Sequence, residues 1–434
     1  MKHLKTLLLI LVGLSLTACL SISQPTRFTP PGQECRFIRH VIEADTIEYP
    51  PTPAASYRGG ESEILPPPPP MLFLSGGSLN GSFGAGVLEG WAQKRGGSLP
   101  DFEVVTGVST GALLSLAAYA NTPLAARKGY IIDHESEAID LLVDYNGYSL
   151  TVTNYLEALK AGGIADLTPL KRSVHAILHD PEFQMMDKII EKSRRGGKLY
   201  TGVVDLDTGE AVAFDMSDMA VKIGQHPHGS PSRAHFTDCF ISAVAASSSV
   251  PMAARPIAID NRLYIDGGAR FLVFSDQIGD IVRNQRPVDF RQRAPRKLYM
   301  LINGTQDIDV KCNKIDPKLC GPNVDPWTEI GARDDWDLLA VALRSIDILQ
   351  SQVKEFSADK IQNRTTGFGQ LVPLKINEED RENHYFTFEG ETRNCNAWRN
   401  VDKQRDGSLQ FHKRYMRCMI ESGKKAVLRN PDWN

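Results

Sequence analysis

Nowhere does the 434-residue sequence run to the roughly 18 consecutive apolar residues that a membrane-spanning helix needs. No charge of one sign dominates either: 49 Lys and Arg against 52 Asp and Glu leave a net charge of −3. So mild an acidity argues against a protein that works by neutralising phosphates, and no nucleic-acid partner is expected. There is no CxxC and no His–Cys cluster with ligand spacing, so no zinc site, other metal or cofactor is called for. No internal repeat of about 20–50 residues occurs, which removes solenoids and propellers. With 42% hydrophobic and 23% charged residues the composition is that of a folded globular chain, in two or three units or one large α/β domain.

The chain opens with Lys2 and Lys5 before a ten-residue apolar run, Leu7 to Leu16. Ten helical residues span about 15 Å, half a bilayer core, so this reads as the apolar region of a signal peptide over residues 1–18. Leu16-Thr17-Ala18-Cys19 resembles the lipobox of bacterial lipoproteins. That resemblance implies cleavage before Cys19 and acyl chains on it, each buried CH₂ contributing about 0.8 kcal/mol of membrane binding. Leu20, where an Asp favours inner-membrane retention, implies a lipid-anchored place in the cell envelope, at the outer membrane and facing the periplasm. Six cysteines remain, an even number compatible with disulfides in an exported chain. Cys312 with Cys320 closes a short loop, Cys395 with Cys418 is a second pairing, and sequence alone leaves the connectivity open.

Residues 19–70 are rich in proline, ending in Pro66 through Pro70, and read as an extended tether with a polyproline II rod. Residues 71–290 carry the pattern of a catalytic core, with residues 291–434 completing or covering it. Met71 to Leu74 reads as a buried strand, Ala85, Leu88, Trp91 and Ala92 as a helix, Phe102 to Thr106 as a strand and Gly111 to Ala120 as a helix. Leu199 to Val204 and Glu210 to Phe214 flank a turn. Thr237 to Ala246 reads as a helix, and Arg262 to Ile265 and Lys297 to Ile302 as strands. This alternation points to an α/β protein with a mostly parallel sheet covered on both faces. Trp336, Leu339, Leu343, Ile346, Leu349, Val353 and Phe356 form one stripe of a long helix, expected to dock on the domain's own core, with a lipid-contacting face as the alternative.

Three short segments carry chemistry. Gly107-Val108-Ser109-Thr110-Gly111 is a G-x-S-x-G between a strand and a helix. There the elbow glycines Gly107 and Gly111 permit the sharp turn that presents a serine hydroxyl, and the helix N-terminus favours the developing alkoxide. Ser75-Gly76-Gly77-Ser78-Leu79-Asn80-Gly81 can aim backbone N–H groups into one concavity as an oxyanion hole. It lacks the G-K-[ST] of a phosphate loop, and Ser78 breaks G-x-G-x-x-G. Asp266-Gly267-Gly268 places a carboxylate at a strand end, although Asp-Gly is also an ordinary turn.

In order and context these segments resemble the patatin-like phospholipases. Ser75 to Leu88, with Ala85-Gly86-Val87-Leu88, is similar to that family's oxyanion segment, and Gly107 to Gly111 to its nucleophile elbow. Ala246-Ser247-Ser248-Ser249-Val250-Pro251 with Pro256 is similar to the stretch preceding its Asp-Gly-Gly. The resemblance spans Met71 to Phe274. It implies a three-layer α/β/α sandwich and a Ser–Asp dyad that cleaves membrane-lipid esters, with Ser109 as nucleophile and Asp266 as general base. Gly76, Gly77, Ser78, Asn80 and Gly81 would form the oxyanion hole. Ser78 stands where the family has a third glycine and Asn80 where it has Arg or Lys. These departures keep open a catalytically impaired lipid- or envelope-protein-binding module. A Ser–His–Asp hydrolase is the other alternative, since His384 and His412 follow Asp266 in the order such enzymes require.

Overall fold

The computed structural model describes residues 29–42, 68–141, 162–275, 296–304, 338–364, 369–408 and 410–433. The signal segment, Cys19, Cys312 with Cys320, and Trp336 lie outside the described residues.

Five parallel strands make the centre of the main sheet, in the order Lys198–Asp205 (β4), Val104–Val108 (β3), Met71–Leu74 (β2), Arg296–Ile302 (β8) and Gly369–Lys375 (β9). Antiparallel strands flank them on one side. Ala211–Asp215 (β5) pairs with β4 and Arg39–Val41 (β1) with β5, while Arg262–Asp266 (β7) pairs with both β4 and Ile257–Ile259 (β6).

Every residue of β2 and β3 is buried, as expected of central parallel strands covered on both faces. Successive side chains alternate between the faces. Leu72, Leu74, Val105 and Leu199 join the larger core with helices Gly81–Lys94 (α1), Thr110–Tyr119 (α2) and Pro231–Ser247 (α3). Met71, Phe73, Val104 and Tyr200 join a second core with Phe271, Phe274 and residues Ala358 and Ile361 of helix Leu338–Arg364 (α4). Helices on both faces of one sheet make the expected three-layer α/β/α sandwich.

Three sequence-based expectations shift and one, a disulfide pairing, is met. The strand expected at Phe102 to Thr106 runs from Val104 to Val108, because the ladder with β2 carries it through Gly107, opposite Leu74. The stretch expected as a free tether is built into the fold where it is described: Arg39–Val41 adds an edge strand, and Cys35 is bonded to Cys239 of α3. The second pairing, Cys395–Cys418, is present and ties helix Cys395–Asp406 (α5) to helix Lys413–Arg429 (α6). In the long helix the predicted stripe does not dock at Leu349 and Phe356. Leu349 and Phe356 are 64% and 66% exposed, and the contact is made by Ser357, Ala358 and Ile361 on another face.

The chain beyond β8 belongs to the same sandwich. β9 extends the sheet, and α6 lies along α1, with Trp433 at its end packed at 4.5 Å on Trp91. Among the described residues no helix is long and apolar enough to cross a membrane.

Candidate active site

β3 ends at Val108 and α2 begins at Thr110, and Ser109 makes the whole turn between them. Its backbone sits at φ 54°, ψ −125°, a conformation that costs a non-glycine residue about 1–3 kcal/mol. So tight an elbow leaves no room beside it. A Cβ at Gly107 would lie 2.2 Å from the carbonyl oxygen of Gly111, and one at Gly111 2.3 Å from that of Leu74. The backbone N–H of Ser109 donates to Ser247 Oγ at 2.8 Å, and Ser247 in turn donates to the carbonyl of Gly202 at 2.6 Å.

Asp266 arrives from β7. Its backbone N–H donates to the carbonyl of Ser249 at 2.9 Å, and its Oδ1 accepts the N–H of Gly268 at 2.7 Å. The Ser109 side chain stands close enough to the carboxyl to favour its ionised form, so two residues 157 positions apart come together. Both are buried. Burial pushes the Asp266 carboxyl from 3.8 up to about 7, against the opposing pull of nearby Ser109 and of the Gly268 N–H.

The glycine-rich segment lies beside the elbow. Asn303, at the end of β8, donates its side-chain amide to the carbonyl of Ser75 and its backbone N–H to Ser75 Oγ, both at 2.8 Å. Gly77 passes so close to this asparagine that a Cβ would sit 1.5 Å from its carbonyl oxygen. The five candidate residues divide by what their N–H groups do. Gly76 donates to the carbonyl of Leu272 and Asn80 to that of Gly77, both at 3.0 Å. Gly81 donates back into the 3-10 turn Ser78–Asn80. Gly76, Asn80 and Gly81 therefore drop out as main-chain donors, because the turn and the strand end consume their N–H groups. Gly77 and Ser78 alone keep N–H groups without a partner among the described residues. Gly76 and Gly81 matter instead as space. A Cβ at Gly76 would come to 3.2 Å from that of Ser109, and one at Gly81 would strike the bonded pair Thr110 and Tyr130. Ser78 itself has φ 51°.

A cavity of about 80 Å³ opens from Ser78 and Ser109, against the 10–15 Å³ that holds one water. Its walls are mainly apolar, with Leu113, Ile139, Leu167, Leu170, Phe411 and Met416 among them. Among the described residues no cluster of His, Cys, Asp and Glu has the arrangement of a metal site.

Of the histidines of the alternative triad, His384 Nε2 and His412 Nδ1 are buried without a hydrogen-bond partner among the described residues. Burial lowers His384 to about 4 and His412 to about 3, so both are neutral at pH 7, and neither ring is hydrogen-bonded to Ser109 or Asp266. Four residues of this site had no role in the sequence reading. Ser247 lay within a quoted stretch, so the signal was present. Asn303, Gln410 and Tyr415 carry no local motif, and Gln410 and Tyr415 reach Ser78 and Asn80 by hydrogen bonds across more than three-quarters of the chain.

No curated protein matches the chain. Among solved structures it is similar to VipD from Legionella pneumophila, with a TM-score of 0.30 and 14% identity over 56% of this chain and 51% of that one. The chain thus spans about half the length of that protein. Residues 72–276 match the model of the patatin-like phospholipase family. The elbow, the glycine-rich loop and Asp266 all fall inside that matched span.

Proposed function

We propose that the protein is a serine-dependent acyl hydrolase that cleaves carboxylic esters of membrane lipids. The observation that carries this reading is the approach of the Ser109 side chain to a carboxyl whose burial brings its proton affinity near neutrality. Asp266 takes the Ser109 proton as Oγ bonds to the ester carbonyl carbon. The negative charge then forms on the carbonyl oxygen, beside the N–H groups of Gly77 and Ser78. Collapse breaks the bond to the alcohol, which leaves with the proton held by Asp266, and the acyl group stays on Ser109. Water next gives Asp266 a proton and attacks the acyl carbon. Breaking the acyl–Oγ bond releases the fatty acid, and Asp266 returns its proton to Oγ to restore the Ser109 hydroxyl. No cofactor enters these steps.

The apolar cavity suits an acyl chain, and the lipobox at Leu16 to Cys19 supports anchoring by acylated Cys19 at the periplasmic face of an outer membrane. Two disulfides, Cys35–Cys239 and Cys395–Cys418, fit an oxidising compartment. The full chain in detergent is expected to release fatty acid from phospholipid in mixed micelles, and Ser109→Ala to release none. No turnover by the unsubstituted protein, with lipid binding retained, would establish the impaired binding module instead.

A further inference from the structure

Ser78 and Asn80, the two departures from the family's loop, are both held by one distant piece of the chain. Gln410 donates its side-chain amide to Ser78 Oγ at 3.0 Å, and the Tyr415 hydroxyl donates to Asn80 Oδ1 at 2.6 Å. That piece is itself fixed. The carboxylate of Glu135 accepts the backbone N–H groups of Gln410 and Phe411 at 2.6 and 2.7 Å. Buried Asp402 accepts those of Arg414 and Tyr415 at 2.9 and 3.0 Å, and the Arg414 guanidinium at 2.8 Å. Helix α6 also meets α1 backbone to backbone. A Cβ at Gly86 would lie 1.9 Å from the carbonyl oxygen of Ile420, and one at Gly423 2.1 Å from that of Phe83. The places of Gln410 and Tyr415 against the loop are therefore set by packed helices and not by free side chains.

The geometry points to Gln410 and Tyr415 as positioning residues that hold the oxyanion loop in its working shape, so that residues beyond 276 complete the site inside 72–276. The inference rests on the acyl-hydrolase reading above. A non-glycine residue at φ 51° persists only when its surroundings over-determine it, and the bond from Gln410 to Ser78 supplies that constraint. Were the loop released, the N–H groups of Gly77 and Ser78 would turn from the place where the charge forms. The serine that strains this turn is also its handle, which a glycine there would lack.

The test uses Tyr415→Phe and Gln410→Met in the full chain, each removing a donor at nearly constant volume. Tyr415 lies outside the cavity, so Tyr415→Phe is expected to lower kcat on a soluble ester about tenfold with KM within about twofold, short of the ~10²–10³ lost with an oxyanion donor itself. Gln410 lines the cavity, and its route of action is read by coupling. Once Ser78→Gly has removed the acceptor, Gln410→Met should cost nothing further. Unchanged kcat in both single variants, or a Gln410→Met loss that persists in the Ser78→Gly chain, overturns the inference. Amide hydrogen exchange of the peptide spanning 75–81 gives a readout apart from catalysis and should quicken in both single variants. If the unsubstituted protein turns over no ester, the acyl-hydrolase reading falls, and unchanged exchange in this peptide would then remove the positioning role separately.

Discussion

The Ser247 hydroxyl sits between two backbones, accepting the Ser109 N–H at 2.8 Å and donating to the Gly202 carbonyl at 2.6 Å. It thereby anchors the elbow of β3 and α2 to the neighbouring strand β4. Ser249, two residues on, accepts the N–H of Asp266, so one short stretch fixes the backbones of both members of the proposed dyad.

Replacing Ser247 by alanine leaves a buried N–H unpaired at the most strained residue of the site. A loss of about 1–3 kcal/mol in unfolding free energy is expected. Because the Ser109 backbone is then free to relax, kcat should fall as well. Denaturant titration and steady-state kinetics check the two effects, and a variant with unaltered kcat would show that the elbow holds itself.

Asp266 gives a pH dependence of definite sign. Its folded-state pKa of about 7 lies above the ordinary 3.8, so folding favours the protonated form. The contribution is fully present at pH below 3.8 and is lost as the pH rises through about 7, where a bare buried carboxylate appears. Asp266→Asn keeps the acceptor for the Gly268 N–H and removes the ionisation. Its melting temperature should therefore exceed that of the unsubstituted protein by a margin that widens from pH 5 to pH 9, while activity is abolished. Activity of the unsubstituted enzyme should rise with pH through about 7 as the base ionises. Thermal scans across pH, paired with kcat profiles, read both.

How much of this was legible beforehand follows from where the signals lie. Met71 to Leu74, Gly107 to Gly111 and Asp266 announce themselves locally, because a continuous apolar run, a glycine-bounded serine and a strand-end Asp-Gly-Gly each satisfy a local requirement. Their meeting was implied by resemblance alone. The residues that hold the site were not legible. Asn303 acts through its own backbone and amide, and Gln410 and Tyr415 act across a contact that only the packing of α6 on α1 creates. The Pro-rich N-terminal stretch misled for a related reason. Proline content speaks against regular ladders over a stretch, yet three residues, Arg39 to Val41, suffice to pair with β5 once Cys35 is bonded to Cys239. The helix stripe misled because spacing shows that a face is apolar without showing what lies opposite.

The cavity sets an expectation about chain length. Ala138 is half-buried in its wall, so Ala138→Phe places a ring in the space without disturbing a strand. The kcat/KM ratio of a four-carbon over a ten-carbon p-nitrophenyl ester should rise, by roughly 15- to 60-fold for two to three buried methylenes lost at about 0.8 kcal/mol each. An unchanged ratio would place the acyl chain elsewhere.

The two disulfides among the described residues differ in span, 204 residues for Cys35–Cys239 and 23 for Cys395–Cys418. Loop-closure entropy assigns them about 5 and about 3 kcal/mol. Cys35→Ala with Cys239→Ala should accordingly lower the melting temperature more than the pair at 395 and 418. The latter pair should instead reduce kcat more, since it loosens α6 and with it Tyr415. Calorimetry and kinetics on the two double variants separate these outcomes.

The most direct test of the central claim is labelling with a fluorophosphonate probe, followed by peptide mapping, in the unsubstituted protein and in Asp266→Asn. Ser109 is expected to be the single modified residue, labelled rapidly at pH 8 and at least a hundredfold more slowly once the carboxylate is gone. Modification at another serine, or labelling of Ser109 at an unaltered rate in Asp266→Asn, would contradict that claim.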